Sequence, residues 1–97
     1  MMSNMAHVVV RFHSALRAIA GESETKLEAA NVGQVLEELA EKYGPEFRES
    51  LFDPHHQIDL RFYRIFINKD VVKPEEGLQK ELHNGDVVQI FPPVVGG

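Results

Sequence analysis

The feature that most constrains the fold is one long amphipathic segment set between stretches that alternate with period two. Val32, Val35, Leu36, Leu39 and Tyr43 recur at helical spacing, while Glu37, Glu38, Glu41 and Lys42 fill the opposite face. Asn31 stands where an N-cap belongs, with Gln34 as its capping-box partner. Gly44-Pro45 ends the helix in the expected order. Upstream, His7 to His13 reads as a strand with Val8, Val10 and Phe12 on one face, and His7 and His13 as surface residues of it. Ser14 to Gly21 reads as a helical turn closed by glycine, and residues 23–29 as a strand antiparallel to the first. Downstream, residues 45–52 suggest a short helix carrying Phe47 and Leu51, and 61–67 a third strand. Val71-Val72 is a very short strand, and Leu78 and Leu82 are expected to tuck under the sheet. Asn84-Gly85-Asp86 is a turn, and Val87 to Phe91 is the last strand, ended by Pro92-Pro93.

Two strands, a helix, then two or three strands make an α+β pattern with one main helix on one face of a mixed sheet. A right-handed crossover through that helix lets the last strand lie parallel to the first at the sheet centre. This is the β-grasp, or ubiquitin-like, arrangement, here with four or five strands. A chain of 97 residues is the length of one domain, so 1–97 is read as a single β-grasp unit with 92–97 as a projecting tail.

Composition removes several function classes. A formal net charge of −5 argues against nonspecific nucleic-acid binding and suits docking onto a basic partner. With no cysteine, a disulfide, a zinc–thiolate site and a cysteine nucleophile are all impossible. Met1 to Met5 lacks the basic and apolar regions of a signal peptide, and either methionine could be the start. No apolar run is long enough to span a bilayer, so a cytoplasmic protein without membrane contact is expected. His55-His56 beside Asp53 and Asp59 invites a metal, but adjacent histidines do not share one face of a regular element. With no third ligand at a recognised spacing, a solvated loop is the better reading and no metal is expected.

The chain ends Phe91-Pro92-Pro93-Val94-Val95-Gly96-Gly97. This ending resembles that of the small subunit of molybdopterin synthase, the MoaD-type sulfur carriers, and also the ThiS-type thiamin carriers and archaeal small modifier proteins. Phe12 to Gly21 and Asn84-Gly85-Asp86-Val87-Val88 are similar to the family's segments after its first strand and before its tail. The double proline favours the molybdopterin and modifier branches over the thiamin branch.

The resemblance implies that the Gly97 carboxylate, with Gly96 before it, is the working group. An E1-like adenylyltransferase (MoeB/ThiF type) would activate it with ATP and magnesium, and a sulfur donor protein would convert it to a thiocarboxylate. The large synthase subunit (MoaE type), in a possible heterotetramer, would then take the sulfur for cyclic pyranopterin monophosphate. The chain would be part of an enzyme rather than a catalyst alone, with no cofactor bound permanently. Glycine suits a tail threaded through a narrow channel because it has no Cβ. Pro92 and Pro93 donate no backbone hydrogen bond and stiffen the exit, and Val94 and Val95 follow into the partner. The alternatives are a modifier joined to lysines through Gly97, a carrier for tRNA thiolation, thiamin or cysteine synthesis, and a binding module with an inert tail.

One surface stands apart from ordinary solvated residues. With Val8, Val10, Phe12, Ile65, Ile67, Val88 and Ile90 facing the helix, Phe62, Arg64, Phe66, Val87, Gln89 and Phe91 point the other way, joined by Arg11. Aromatics beside arginines are typical interface anchors, so this face is expected to bind partners through uncovered rings. The competing expectation is that residues 45–59 fold over it.

Overall fold

The computed structural model describes residues 5–51, 64–73 and 75–91. Phe62, Pro92, Pro93, Val94, Val95, Gly96, Gly97 and the His55-His56 loop lie outside them.

The first strand, β1 (Ala6–Phe12), alternates buried and accessible residues along its length, as a strand with one covered face must. A short helix, α1 (Ser14–Ala20), follows, closed by Gly21 at φ 77°, a left-handed value that favours glycine. β2 (Glu24–Ala29) returns antiparallel to β1. The main helix, α2 (Val32–Tyr43), begins at Asn31, whose Oδ1 accepts from the Gln34 amide at 2.9 Å. The Gln34 side chain reaches back to the Ala30 amide at 2.7 Å rather than to that of Asn31, so the box closes one residue further upstream than expected. Gly44, at φ 88°, turns the chain directly into α3 (Pro45–Leu51).

β3 (Arg64–Ile67) and β4 (Asp70–Val71) form a short hairpin, a 3₁₀ turn spans Gly77–Gln79, and β5 (Val87–Phe91) completes the sheet. Among the described residues five strands lie in the order β2-β1-β5-β3-β4. β5 runs parallel to β1 and antiparallel to β3, so the last strand occupies the middle of the sheet. This is the expected mixed sheet, with five strands.

The inward set is as the periodicity requires. Val8, Val10, Phe12, Ile65, Ile67, Val88 and Ile90 are all buried, together with Val32, Val35, Leu36 and Leu39 of α2. Each such side chain taken from water contributes about 1.5–3 kcal/mol, so this face carries the fold. Phe47 of α3 packs edge-on to Phe12, with ring centres 5.6 Å apart, and tilts against Tyr43 at 5.1 Å. α3 therefore lies on the helix side of the sheet, and its residues do not cover the opposite face. Leu82 is buried, and Leu78 packs where a Cβ on Gly33 would come within 3.2 Å of it.

Candidate functional site

The candidate site is the tail end of β5, after which the sequence continues Pro-Pro-Val-Val-Gly-Gly. β5 pairs with both central neighbours, but not to the same point. On the β3 side the ladder reaches Phe91, opposite Arg64. On the β1 side it stops one residue earlier, at Ile90 opposite Phe12. The chain leaves β1 there because Ser14 takes a left-handed φ of 56° and starts α1. Outside glycine that conformation costs about 1–2 kcal/mol, so the surrounding contacts must hold it.

His13 fills the place next to Phe91. Its ring stacks on the Phe91 ring with centres 4.0 Å apart and planes 8° from parallel. With its proton on Nε2 it donates to Gln89 Oε1 at 3.0 Å. On the other side, Phe66 meets Phe91 edge-on at 5.6 Å. Three rings thus run across the sheet from the end of β1 to β3. His13 is the half-buried N-cap residue of α1 and not a surface residue of β1 as its spacing suggested. Phe66 and Phe91 are half-buried rather than uncovered, because rings on adjacent strands cover one another.

Around the rings the face is mixed. Arg64 is exposed beside Phe91, and Arg11 is exposed with its Nε 3.5 Å from Glu24 Oε1. An exposed pair of this kind holds the arginine loosely and contributes little to stability. Val71 stands opposite Phe66 and is 39% exposed, which extends the apolar row to the sheet edge. Of the residues expected on this surface, the structure brings Phe91, Phe66, Arg64 and Arg11 to one face. The sequence pattern missed His13 and Val71. A period-two count carried one step past Phe12 puts His13 on the outer face, but only the turn at Ser14 swings it onto Phe91.

No group of three or more metal-ligating side chains occurs among the described residues. None of the described helices is long and apolar enough to cross a membrane. Away from the site, Tyr43 donates its hydroxyl to Glu22 Oε2, and burial, helped by that bond, pushes its pKa up to about 12.

The fold and the run of the last strand define a ubiquitin-like β-grasp protein, and the comparisons with known proteins agree. The ThiS family model matches residues 10–97. The small archaeal modifier protein 1 of Methanosarcina acetivorans superposes with a TM-score of 0.83 at 34% identity, covering 96% of this chain and 98% of that one. The sulfur carrier protein CysO of Mycobacterium tuberculosis is 32% identical over 78 residues, 79% of this chain and 83% of that protein. A putative molybdopterin converting factor subunit 1 from Pyrococcus furiosus superposes with a TM-score of 0.71 at 30% identity, covering 92% and 99%. This chain belongs to the ThiS family of ubiquitin-like sulfur carriers.

Proposed function

We propose that the chain carries sulfur on the carboxylate of Gly97 and delivers it to cyclic pyranopterin monophosphate in molybdopterin biosynthesis. The observation that carries the reading is the position of β5. The strand leading to the Gly-Gly terminus is central in the sheet and paired on both sides, so the reactive end is attached to a firmly held strand. Likeness to the Pyrococcus furiosus protein supports the acceptor.

The chemistry follows from a weak electrophile. A carboxylate does not react with a sulfur nucleophile at neutral pH. An E1-like partner would transfer AMP from ATP and magnesium to the Gly97 carboxylate, releasing pyrophosphate. The terminal sulfur of a donor persulfide then attacks the carbonyl carbon and AMP leaves. Cleavage of the resulting acyl disulfide by a thiol leaves the thiocarboxylate. Residues 1–97 act here as one carrier domain in the cytoplasm, with 92–97 as the reactive arm. The partner supplies the catalytic side chains. The patch of Phe91, Phe66, Arg64 and Arg11 docks the activating enzyme and a large synthase subunit in turn.

Intact-mass measurement tests this. After incubation with a compatible activating enzyme, ATP and a sulfur donor, one oxygen should be replaced by sulfur at the last residue. Removing Gly97 should abolish the change although Gly96 still offers a carboxylate. One extended residue spans about 3.3–3.6 Å, and reacting atoms must approach within about 3–3.5 Å. A shortened chain that gains sulfur at the normal rate would falsify the mechanism.

A second reading, a protein modifier joined to lysines through Gly97, is favoured by the likeness to the archaeal modifier protein. The two part at the fate of the activated terminus. Lysine adducts in cell extract support the modifier, and conversion of the pterin precursor with a large synthase subunit supports the carrier.

A further inference from the structure

We infer that His13 is a positioning residue for the activation of the tail: it replaces the missing β1 partner of Phe91 and fixes the point from which residues 92–97 start. The inference rests on the carrier reading given above.

The reasoning begins with the ladder. Phe91 is the last residue of β5, and among the described residues only β3 pairs with it, through Arg64. At Ile90 the strand is held on both sides, by Phe12 and by Ile65. A terminal residue bonded along one edge can pivot about that edge, and any pivot at Phe91 grows along the residues that follow it. Nothing in the backbone of β1 opposes this, because Ser14 has already turned the chain away.

His13 supplies the restraint with its side chain. The near-parallel stack covers one side of the Phe91 ring, and Phe66 closes the other side edge-on. The stack is the main restraint, and the bond from Nε2 to Gln89 Oε1 adds a second tie, since Gln89 sits within β5 opposite Arg11 and Phe66 and moves with the strand. His13 is therefore tied to β5 at two residues while its own backbone belongs to the junction of β1 and α1. It works as a brace between the body and the last residue before the prolines.

A brace and a docking contact have different kinetic consequences. Losing a docking contact weakens binding of the activating enzyme and raises KM. Losing a brace leaves the patch able to bind but spreads the positions of the terminus, and a misplacement of about 1 Å can cost up to about 100-fold in rate. The effect belongs in kcat.

The test uses the full chain with His13→Ala and His13→Phe, the second keeping a flat ring on Phe91. Pyrophosphate exchange with a compatible E1-like adenylyltransferase and ATP gives kcat and KM. His13→Ala should lower kcat about tenfold with KM within about twofold, and His13→Phe should recover most of it. In the protein alone, the nitrogen-15 order parameter of the Phe91 amide should fall in His13→Ala and recover in His13→Phe, while that of Val88 stays as in the wild type. A rise in KM at constant kcat makes His13 a docking contact and overturns the inference. So does an unchanged Phe91 order parameter, or a His13→Phe protein as slow as His13→Ala. If the wild-type chain itself supports no exchange and gains no sulfur, the carrier reading has failed and the inference falls with it. That result differs from an active wild type whose variants behave alike, which sinks the inference alone.

Discussion

The two ends of β5 are held by different physics. At its start, directional polar bonds converge. The Val9 amide donates to Asp86 O at 3.0 Å, and the Asn68 amide to Val87 O at 2.8 Å. Asn68 Oδ1 accepts from the Val87 amide at 3.0 Å, and Asn68 Nδ2 donates to Asp86 Oδ1 at 3.0 Å. The other oxygen of Asp86 accepts from the His83 amide at 2.8 Å. At its far end, outside the ladder, the strand is held by rings: His13, Phe91 and Phe66. Polar bonds have one correct geometry, so the first arrangement sets register. A slip by one residue would carry Val88 and Ile90 to the outer face. Ring contacts tolerate small displacements and leave accessible apolar surface, so the second arrangement suits a place where partners bind. A strand locked at its start also keeps a constant number of residues between the body and Gly97, which the proposed reaction at the terminus would require.

The largest stability effect is expected at the polar end. Asp86→Ala leaves the His83 amide and the Asn68 side chain short of acceptors in a place only 9% exposed. The loss should be about 2–3 kcal/mol, read as a lower urea midpoint. A loss under about 0.5 kcal/mol would mean that water replaces the carboxylate and the contrast between the ends is overstated.

At the ring end the expected balance is reversed. Phe91→Ala should weaken binding to the activating enzyme and to a large synthase subunit by about 2 kcal/mol, as interface anchors do. Its cost to stability should be smaller, about 1 kcal/mol, because the ring is only half-buried. Binding at wild-type affinity to both partners, measured by calorimetry, would remove the patch from the mechanism.

Beneath the ring end, on the inner face, Tyr43 packs edge-on to Phe12 at 5.4 Å. Its pKa, raised from about 10 to about 12 by burial and then by Glu22, means that the fold favours the neutral phenol. That stabilisation is fully present below about pH 10 and is lost as pH rises through about 12. Thermal midpoints should fall over this window in the wild type and less steeply in Tyr43→Phe. Equal slopes would show that Tyr43 ionises without opposition from the fold.

The smallest effect is expected beyond the rings. Deleting Val94 to Gly97 should leave the thermal midpoint nearly unchanged, because the strand is already anchored by residues up to Phe91. A large drop would make the tail a structural element and would extend the ring end of the comparison past the prolines.

Much of this was legible in local pattern. The spacing of Val32 to Tyr43 announced α2, and Asn31 and Gly44 mark its ends in the structure as they did in the sequence. Period two assigned the inner face of β1, β3 and β5 residue by residue, since alternation along a strand is a local property. Asn84-Gly85-Asp86 specified its turn for the same reason, with Gly85 at φ 89°. The terminal glycines and the double proline carry the resemblance to the carrier family in the sequence itself.

Tertiary structure alone decided how the outer face is finished. Alternation separates inside from outside, but it does not say how far an outer ring is covered, because that depends on neighbours distant in sequence. His13 and Phe91 are far apart along the chain and meet only because β5 inserts beside β1 and Ser14 turns the chain at that point. The side of the sheet that α3 occupies was likewise invisible locally, since Phe47 is apolar in either place and becomes a core residue only through Phe12 and Tyr43. Local spacing selects the elements and their faces; the contacts that brace the end of β5 arise from which strands become neighbours.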